Sequence, residues 1–139
     1  PTLPPCFVQL GKEARASLLA STPLLNDTDI PEEPMACAVN RYPVSEPVKG
    51  RGSQLGFHQD RGNWRELVIG VTLGPEDWRE MRFLHKPTKT MHKLRTGAGD
   101  VYLFRNAMYT DWHHASMKRS SKQKQTIYSV TFRWSRGAL

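Results

Sequence analysis

From residue 36 onward, the sequence is a succession of short segments rich in Val, Ile, Tyr, Phe and Thr, separated by turn-forming residues. Breaks that contain glycine, at 50–52, 74–75 and 97–99, mark three of these turns. The segments predicted to be strands cover residues 36–42, 53–58, 66–73, 80–85, 90–94, 100–104, 113–117 and 126–134. Eight short strands at this spacing indicate a mainly β fold, either a sandwich or a jelly roll.

One helix is predicted ahead of the strands, over residues 9–21. Its apolar residues recur at helical spacing, at Leu10, Ala14, Leu18 and Leu19. Pro23 ends this pattern. The 139 residues suffice for a single hydrophobic core, so we expect one domain spanning 1–139, with this short helix packed outside the strands.

The last predicted strand alternates between two faces. Its odd-numbered residues, from Ile127 to Arg133, share one face, and its even-numbered residues, from Tyr128 to Phe132, share the other. The odd face therefore carries Ser129 and Thr131 as well as Arg133.

Positive charge is concentrated in the second half of the chain. Residues 80–139 contain 12 Lys and Arg against 3 Asp and Glu, a balance of +9, which leaves −2 for residues 1–79 within the net charge of +7. A basic half favours a polyanionic partner such as nucleic acid. No apolar run approaches the roughly 20 residues that cross a membrane, and the start lacks a secretory pattern. We therefore expect no membrane partner and an intracellular setting, cytoplasmic or nuclear.

Two histidine-containing patterns carry the chemistry. In Phe57-His58-Gln59-Asp60, residues i and i+2 at the end of a strand point to the same side, so His58 and Asp60 can converge on one point. The later pattern is Asp111-Trp112-His113-His114, and either of its histidines is a candidate third ligand. Two imidazoles and one carboxylate form a facial triad with open positions, a ligand set that suits Fe(II) in oxygenases.

The sequence resembles the AlkB family of 2-oxoglutarate- and Fe(II)-dependent dioxygenases over roughly residues 5–136. The motifs that carry the resemblance occur in the family's order, at Asn40-Arg41-Tyr42-Pro43, 55–60, 68–74, Gly99-Asp100-Val101, 111–114 and Thr131-Phe132-Arg133. The fold implied by this resemblance is a double-stranded β-helix, a distorted jelly roll.

The resemblance implies that His58, Asp60 and one late histidine bind Fe(II). The family's Asp-Trp-x-His pattern and the spacing from Asp60 favour His114, whereas counting from Gly99-Asp100 favours His113. We expect His114 to be the ligand, with His113 as the alternative.

The resemblance also implies that 2-oxoglutarate binds beside the metal and that O2 is the second cosubstrate. Residues that match the family's cosubstrate contacts, or lie beside them in the last strand, are Asn40, Tyr42, Ser129, Thr131 and Arg133. Arg133 matches the last arginine of the family's Arg-x-Asn-x-Thr-Phe-Arg motif, and a guanidinium fork suits a carboxylate.

The chain departs from this motif at its beginning. The first arginine, which in the family pairs with the far carboxylate of 2-oxoglutarate, falls on Ile127, and the asparagine falls on Ser129. Isoleucine cannot supply that charge, and Tyr128 faces the other way. Either Lys124, Arg136 or another basic residue takes this place, or the cosubstrate binds differently or is not 2-oxoglutarate.

The implied reaction oxidises an N-methyl group and releases it as formaldehyde, with succinate and carbon dioxide as the other products. AlkB relatives act on alkylated bases in DNA or RNA, so we expect a nucleic acid carrying a modified base as partner. Arg61 and Asn63 are the polar candidates nearest the base. Phosphate contacts are expected from the basic segment after the distal histidine, at Lys118, Arg119, Lys122 and Lys124, although a solvated basic loop explains that segment equally well.

Other functions remain open at the level of sequence. Only residues 1–39 precede Asn40, so little or no nucleotide-recognition lid is expected, and the family's base-reading acidic residue falls on Gly62. The alternatives are a protein or small-molecule substrate, a non-catalytic module that has lost cosubstrate binding, and a cupin-like jelly roll that binds a metal or a sugar.

Overall fold

The computed structural model describes residues 2–22, 32–43, 55–59, 67–75, 78–105, 108, 110–117 and 125–134. Within these residues the chain forms one helix followed by eight strands, which confirms the mainly β fold. The elements are α1 (Pro5–Ser21), β1 (Ala36–Tyr42), β2 (Leu55–His58), β3 (Leu67–Leu73), β4 (Trp78–His85), β5 (Met91–Gly97), β6 (Val101–Arg105), β7 (Trp112–Ser116) and β8 (Ile127–Trp134).

The strands form two four-stranded antiparallel sheets. Sheet I has the order β1-β8-β3-β6, and sheet II has the order β2-β7-β4-β5. Strands that are far apart in sequence are therefore neighbours in space, since β1 pairs with β8 and β2 pairs with β7. This arrangement is the jelly roll that the spacing of the segments indicated.

Helix α1 begins four residues earlier than predicted. Pro5 occupies its first turn, where the missing N–H costs no hydrogen bond, so the helix extends back to this residue. Ala14 and Leu18 are buried, as their spacing predicted. Gly11 faces Pro34 so closely that a Cβ atom at this position would lie 2.7 Å from the proline Cγ atom.

Both faces of sheet I are covered. On the outer side, α1 packs against a cluster centred on Ile69, Phe132 and Trp134, each at most 1% exposed. On the inner side, Val68, Met81, Tyr102 and Phe104 form a second cluster between the sheets. Burial of each such large apolar side chain contributes about 1.5–3 kcal/mol. The inner cluster fixes the separation of the sheets, and a polar cavity lies beside it.

Two strand boundaries differ from the prediction in a way that affects the site. β4 begins at Trp78 instead of residue 80, and β5 continues to Gly97 instead of ending at residue 94. The β4–β5 ladder runs from the pair Trp78–Gly97 to the pair Leu84–Met91, so backbone pairing extends both strands beyond their apolar cores. As a result, Arg79 lies within β4 and its side chain enters the protein interior.

Candidate active site

A cavity of about 190 Å³ lies between the two sheets. This volume is far larger than the roughly 10–15 Å³ that a single water molecule needs. Sheet I lines it with residues of β1, β6 and β8, and sheet II lines it with residues of β2, β4 and β7. The polar and ionisable side chains of the lining are Asn40, Tyr42, His58, Arg79, Tyr102, His114, Ser116, Ser129, Thr131 and Arg133. The cavity is therefore a site for a polar or charged ligand.

His58 and His114 meet at this cavity. They are cross-strand partners in the pairing of β2 with β7, and their ring centroids are 4.3 Å apart. Two imidazoles at this distance can share one metal ion. The ring of Phe104, centred 5.0 Å from that of His114, packs beside the pair and restricts its orientation.

The hydrogen bonding of His58 determines which ring nitrogen is available as a ligand. Its Nδ1 atom lies 2.7 Å from the carbonyl oxygen of Gly56. A carbonyl oxygen only accepts, so Nδ1 carries the proton and the lone pair of the neutral ring is on Nε2. A metal-binding histidine commonly has its other nitrogen oriented in this way by a backbone carbonyl. The donor set of the described residues therefore fits a borderline divalent metal such as Fe(II).

The two late histidines point to opposite faces of β7, because they are adjacent in one strand. His114 lines the cavity together with Ser116, whereas His113 is absent from the lining. The geometry thus favours His114 as the partner of His58. Asp60 lies outside the described residues, and within those residues no group of three His, Cys, Asp or Glu side chains is placed to hold a metal.

The residues expected to contact the cosubstrate also line the cavity. They come from two strands that are neighbours in sheet I, with Asn40 of β1 directly opposite Ser129 of β8. Thr131 donates a hydrogen bond of 3.3 Å from Oγ1 to the carbonyl oxygen of Ala38. Arg133 lies at the far end of the same face of β8. The pairing of β1 with β8 is what brings these two distant motifs together.

No sequence motif marks Arg79, yet Arg79 is the most deeply buried charged side chain of the described residues, at 2% exposure. Its Nη2 atom donates to the Tyr102 hydroxyl at 2.8 Å and to the Ser129 hydroxyl at 3.0 Å. Nη1 makes a longer contact of 3.4 Å with the Ser116 hydroxyl, and the guanidinium lies 5.0 Å from the centre of the Tyr42 ring. The partners of Arg79 among the described residues are all uncharged. Burial of such a guanidinium destabilises the folded protein by several kcal/mol unless an anion joins it.

The backbone of β3 makes room for this arrangement. Gly70 lies opposite Tyr102 in the pairing of β3 with β6. A Cβ atom at position 70 would approach the Tyr102 ring to 2.0 Å, so glycine is needed here for the ring to lie across the strand. The tyrosine hydroxyl can then reach both Arg79 and Ser129, to which its distances are 2.8 and 3.1 Å. A glycine within a strand rich in β-branched residues was the sequence signal for this close approach, and it did not point to Arg79 itself.

The position that departs from the family motif is apolar in the structure as well. Ile127 is fully buried, and Tyr128 is 39% exposed on the other face of β8, as predicted. Two further sources of positive charge, Lys124 and Arg136, lie outside the described residues. The residues expected to contact nucleic acid also lie there, namely Arg61, Asn63, Lys118, Arg119, Lys122 and Lys124.

Comparison with known proteins supports the fold alone. The chain is similar to the solved structure of OsALKBH1, with a TM-score of 0.63 and 24% identity, and the match covers 96% of this chain and 65% of that one. This chain therefore spans less than two thirds of OsALKBH1, and its fold is AlkB-like. A match to Peruvianin-I, a cysteine peptidase from Thevetia peruviana latex, has a TM-score of 0.33 and 8% identity over 80% of this chain and 76% of that one, and carries no argument.

Matches at the level of sequence are lacking. No protein-family model matches the chain, and no curated protein matches it either.

Among the described residues, none of the helical segments has the length and apolar character to span a membrane.

Proposed function

We propose that this chain is an Fe(II)- and 2-oxoglutarate-dependent dioxygenase that oxidises N-methyl groups of alkylated bases in DNA or RNA. The observation that carries the proposal is the His58–His114 pair, with ring centroids 4.3 Å apart at a cavity that Arg133 also lines. The AlkB-like fold supports the same chemistry. OsALKBH1 bears the name of an AlkB homologue, and the substrate class of that family is extended here to this chain.

His58, His114 and Asp60 would hold the metal, the two imidazoles through nitrogen and the aspartate through a carboxylate oxygen. The hydrogen bond from His58 Nδ1 to the Gly56 carbonyl keeps this ring in the tautomer that has its lone pair on Nε2. Bound Fe(II), with a 2-oxo acid as cosubstrate, would supply the activation of O2 that no side chain can provide.

The remaining lining residues bind and orient the organic acid. Arg133 offers a guanidinium fork to a carboxylate, and Asn40 offers a side-chain amide on the same wall, whereas the Thr131 hydroxyl already donates to the Ala38 carbonyl. Met81 and Phe104, which are 3% and 5% exposed, form an apolar wall. This wall limits water near the reacting groups and strengthens the charge-assisted contacts beside it.

The nucleic acid part of the proposal is supported by charge. Residues 80–139 carry a balance of +9, which favours a polyanion over a neutral small molecule. A base must leave its stack to enter a cavity between two sheets, so single-stranded or damaged sites are the expected substrates.

The proposal is tested by anaerobic titration of the chain with Fe(II) and 2-oxoglutarate, followed by addition of O2. Oligonucleotides of DNA and RNA that carry N-methylated bases are included, and their masses are measured together with succinate. We expect succinate release to rise with a methylated oligonucleotide and the oligonucleotide to lose the mass of a methylene group. An unmethylated oligonucleotide of the same sequence is the control.

The outcomes separate the alternatives. Succinate release that responds to methylated peptides and not to oligonucleotides would replace the substrate class and keep the oxygenase chemistry. If the chain binds neither Fe(II) nor any 2-oxo acid, the dioxygenase proposal is wrong and a non-catalytic module remains.

A further inference from the structure

The cavity contains a cation that none of the motifs above explains. Arg79 of β4 lines the cavity and is 98% buried, since its exposure is 2%. All its hydrogen-bond partners among the described residues are hydroxyl groups, and it forms no ion pair with a carboxylate of those residues. A buried guanidinium without a carboxylate partner among the described residues is suited to bind an anion that comes from outside.

The guanidinium retains donors for such a ligand. Arginine has five N–H bonds, and the contacts of Arg79 amount to two good hydrogen bonds from Nη2 and a longer one from Nη1. Its Nε atom is buried and has no partner in the described part of the chain. Donors therefore remain for a carboxylate in the cavity.

The surroundings of Arg79 suit a carboxylate in particular. The hydroxyl groups of Tyr102 and Ser129 hold Nη2 in place and are 3.1 Å from each other, and a hydroxyl can donate to an anion as well as accept. The Tyr42 ring lies 5.0 Å from the guanidinium carbon and supports it by a cation–π contact. A planar guanidinium fixed in this way is oriented before the ligand arrives.

A second arginine lines the same cavity. Arg79 contacts Ser129 of β8, and Arg133 lies four residues further along the same face of that strand. At the usual rise of a strand, the Cα atoms of Ser129 and Arg133 are roughly 13 Å apart. Two guanidinium groups at separate positions of one cavity suit a linear acid with a carboxylate at each end. A monocarboxylic acid has a single carboxylate and could bind only one of the two guanidinium groups.

We propose that Arg79 binds the second carboxylate of the 2-oxo acid and so makes the site selective for dicarboxylic over monocarboxylic 2-oxo acids. This inference rests on the proposed function, because it assumes that a 2-oxo acid occupies the cavity. The charge that Ile127 cannot provide from β8 in sheet I is provided from β4 in sheet II. In this chain the positive charge therefore lies on the sheet II side of the cavity, opposite the sheet that contains Ile127.

The test compares two ligands that differ only at the far end, 2-oxoglutarate and 2-oxovalerate. Affinities are measured by calorimetry without oxygen, with Mn(II) in place of Fe(II), so that no turnover is involved. We expect the wild type to favour 2-oxoglutarate. Arg79→Met should lower the affinity for 2-oxoglutarate about 10- to 100-fold, as expected when a charge-assisted contact is lost. The affinity for 2-oxovalerate should change by no more than about 3-fold. Arg79→Lys keeps the charge but loses the guanidinium fork, so its affinity for 2-oxoglutarate should lie between those of the wild type and of Arg79→Met.

Two further variants keep the test decisive. Arg82→Met makes the same exchange on the opposite face of β4, where Arg82 pairs with Glu80, and as the matched control it should leave the ratio of the two affinities unchanged. If circular dichroism shows that Arg79→Met is unfolded, Tyr102→Phe replaces it, because it removes one hydroxyl and preserves the ring. We expect a loss of about 3- to 10-fold for 2-oxoglutarate alone.

The failures are distinguishable. A folded Arg79→Met variant, or in its place Tyr102→Phe, with the wild-type ratio of affinities would overturn the role of Arg79 and leave the proposed function standing. A wild type that binds neither acid in the presence of Mn(II) would overturn the proposed function as well.

Discussion

The two ends of the cavity are built in different ways. At the histidine end, His58 and His114 are half-buried, and Nδ1 of His58 donates a hydrogen bond to the backbone of its own strand. At the arginine end, Arg79 is fully buried and is held by side chains of other strands, Tyr102 of β6 and Ser129 of β8. The first end depends on local backbone and the second on a network, so substitutions should affect them differently.

The largest effect is expected at the histidine end. His58→Ala removes one of two imidazoles that face each other, so oxygen-dependent turnover should fall below detection and Fe(II) affinity should drop by at least about 100-fold. Because His58 is half-buried, the free energy of unfolding should change by only about 1 kcal/mol. His113→Ala is the matched control and should keep Fe(II) affinity. Normal turnover in the His58 variant would show that the metal site lies elsewhere.

A smaller and more selective effect is expected from Arg133. Arg133→Ala should lower the affinity for 2-oxoglutarate about 10- to 100-fold and change the affinity for Mn(II) by less than about 3-fold. The reason is that the proposed contact of this guanidinium is with the acid and not with the metal. Arg82→Ala is a suitable control, since Arg82 pairs with Glu80 on the opposite face of β4. Equal losses of acid and metal binding would contradict this role.

The network at the arginine end predicts a stability effect of modest size. Gly70→Ala places a methyl group against the Tyr102 ring, and we expect a loss of about 1–3 kcal/mol in the free energy of unfolding. Gly56→Ala, at a position where nothing lies within 4 Å of the added atom, should change it by no more than about 0.5 kcal/mol. Denaturant unfolding measures both, and equal values would mean that the Tyr102 ring is not constrained by β3.

The smallest effect is expected at Thr131, whose hydroxyl already donates to the Ala38 carbonyl. Thr131→Val should cost about 1 kcal/mol of stability, the value of one ordinary hydrogen bond, and should alter 2-oxoglutarate affinity by less than about 3-fold. A loss of affinity comparable with that of Arg133→Ala would show that this hydroxyl contacts the ligand instead.

The same contrast explains what could be predicted from the sequence. The strands were predictable because β-branched and aromatic residues are frequent in the segments between turns. His58 was a candidate because it lies two residues from Asp60 at a strand end. The alternation of side chains along β8 predicted which residues share a face with Ile127 and Arg133. These features depend on residues close together in the chain.

Arg79 could not be predicted by the same reasoning. Its partners Tyr102 and Ser129 are 23 and 50 residues away, and only the packing of sheet II against sheet I brings them within reach. An arginine next to Glu80 in a segment that also contains Arg82 has the appearance of a solvated face. The ladder between β4 and β5, which draws residues 78 and 79 into the strand, reverses that interpretation.

The central claim is that His58 and His114 bind one divalent ion, and imidazole nitrogen NMR tests it most directly. Zn(II), which is diamagnetic, is added to the ¹⁵N-labelled chain, and the long-range ¹H–¹⁵N correlations of all five histidines are followed. We expect the Nε2 signals of His58 and one nitrogen of His114 to shift together and to saturate at one equivalent, while His113 stays unchanged. A shift of His113, or of only one member of the pair, would contradict the account.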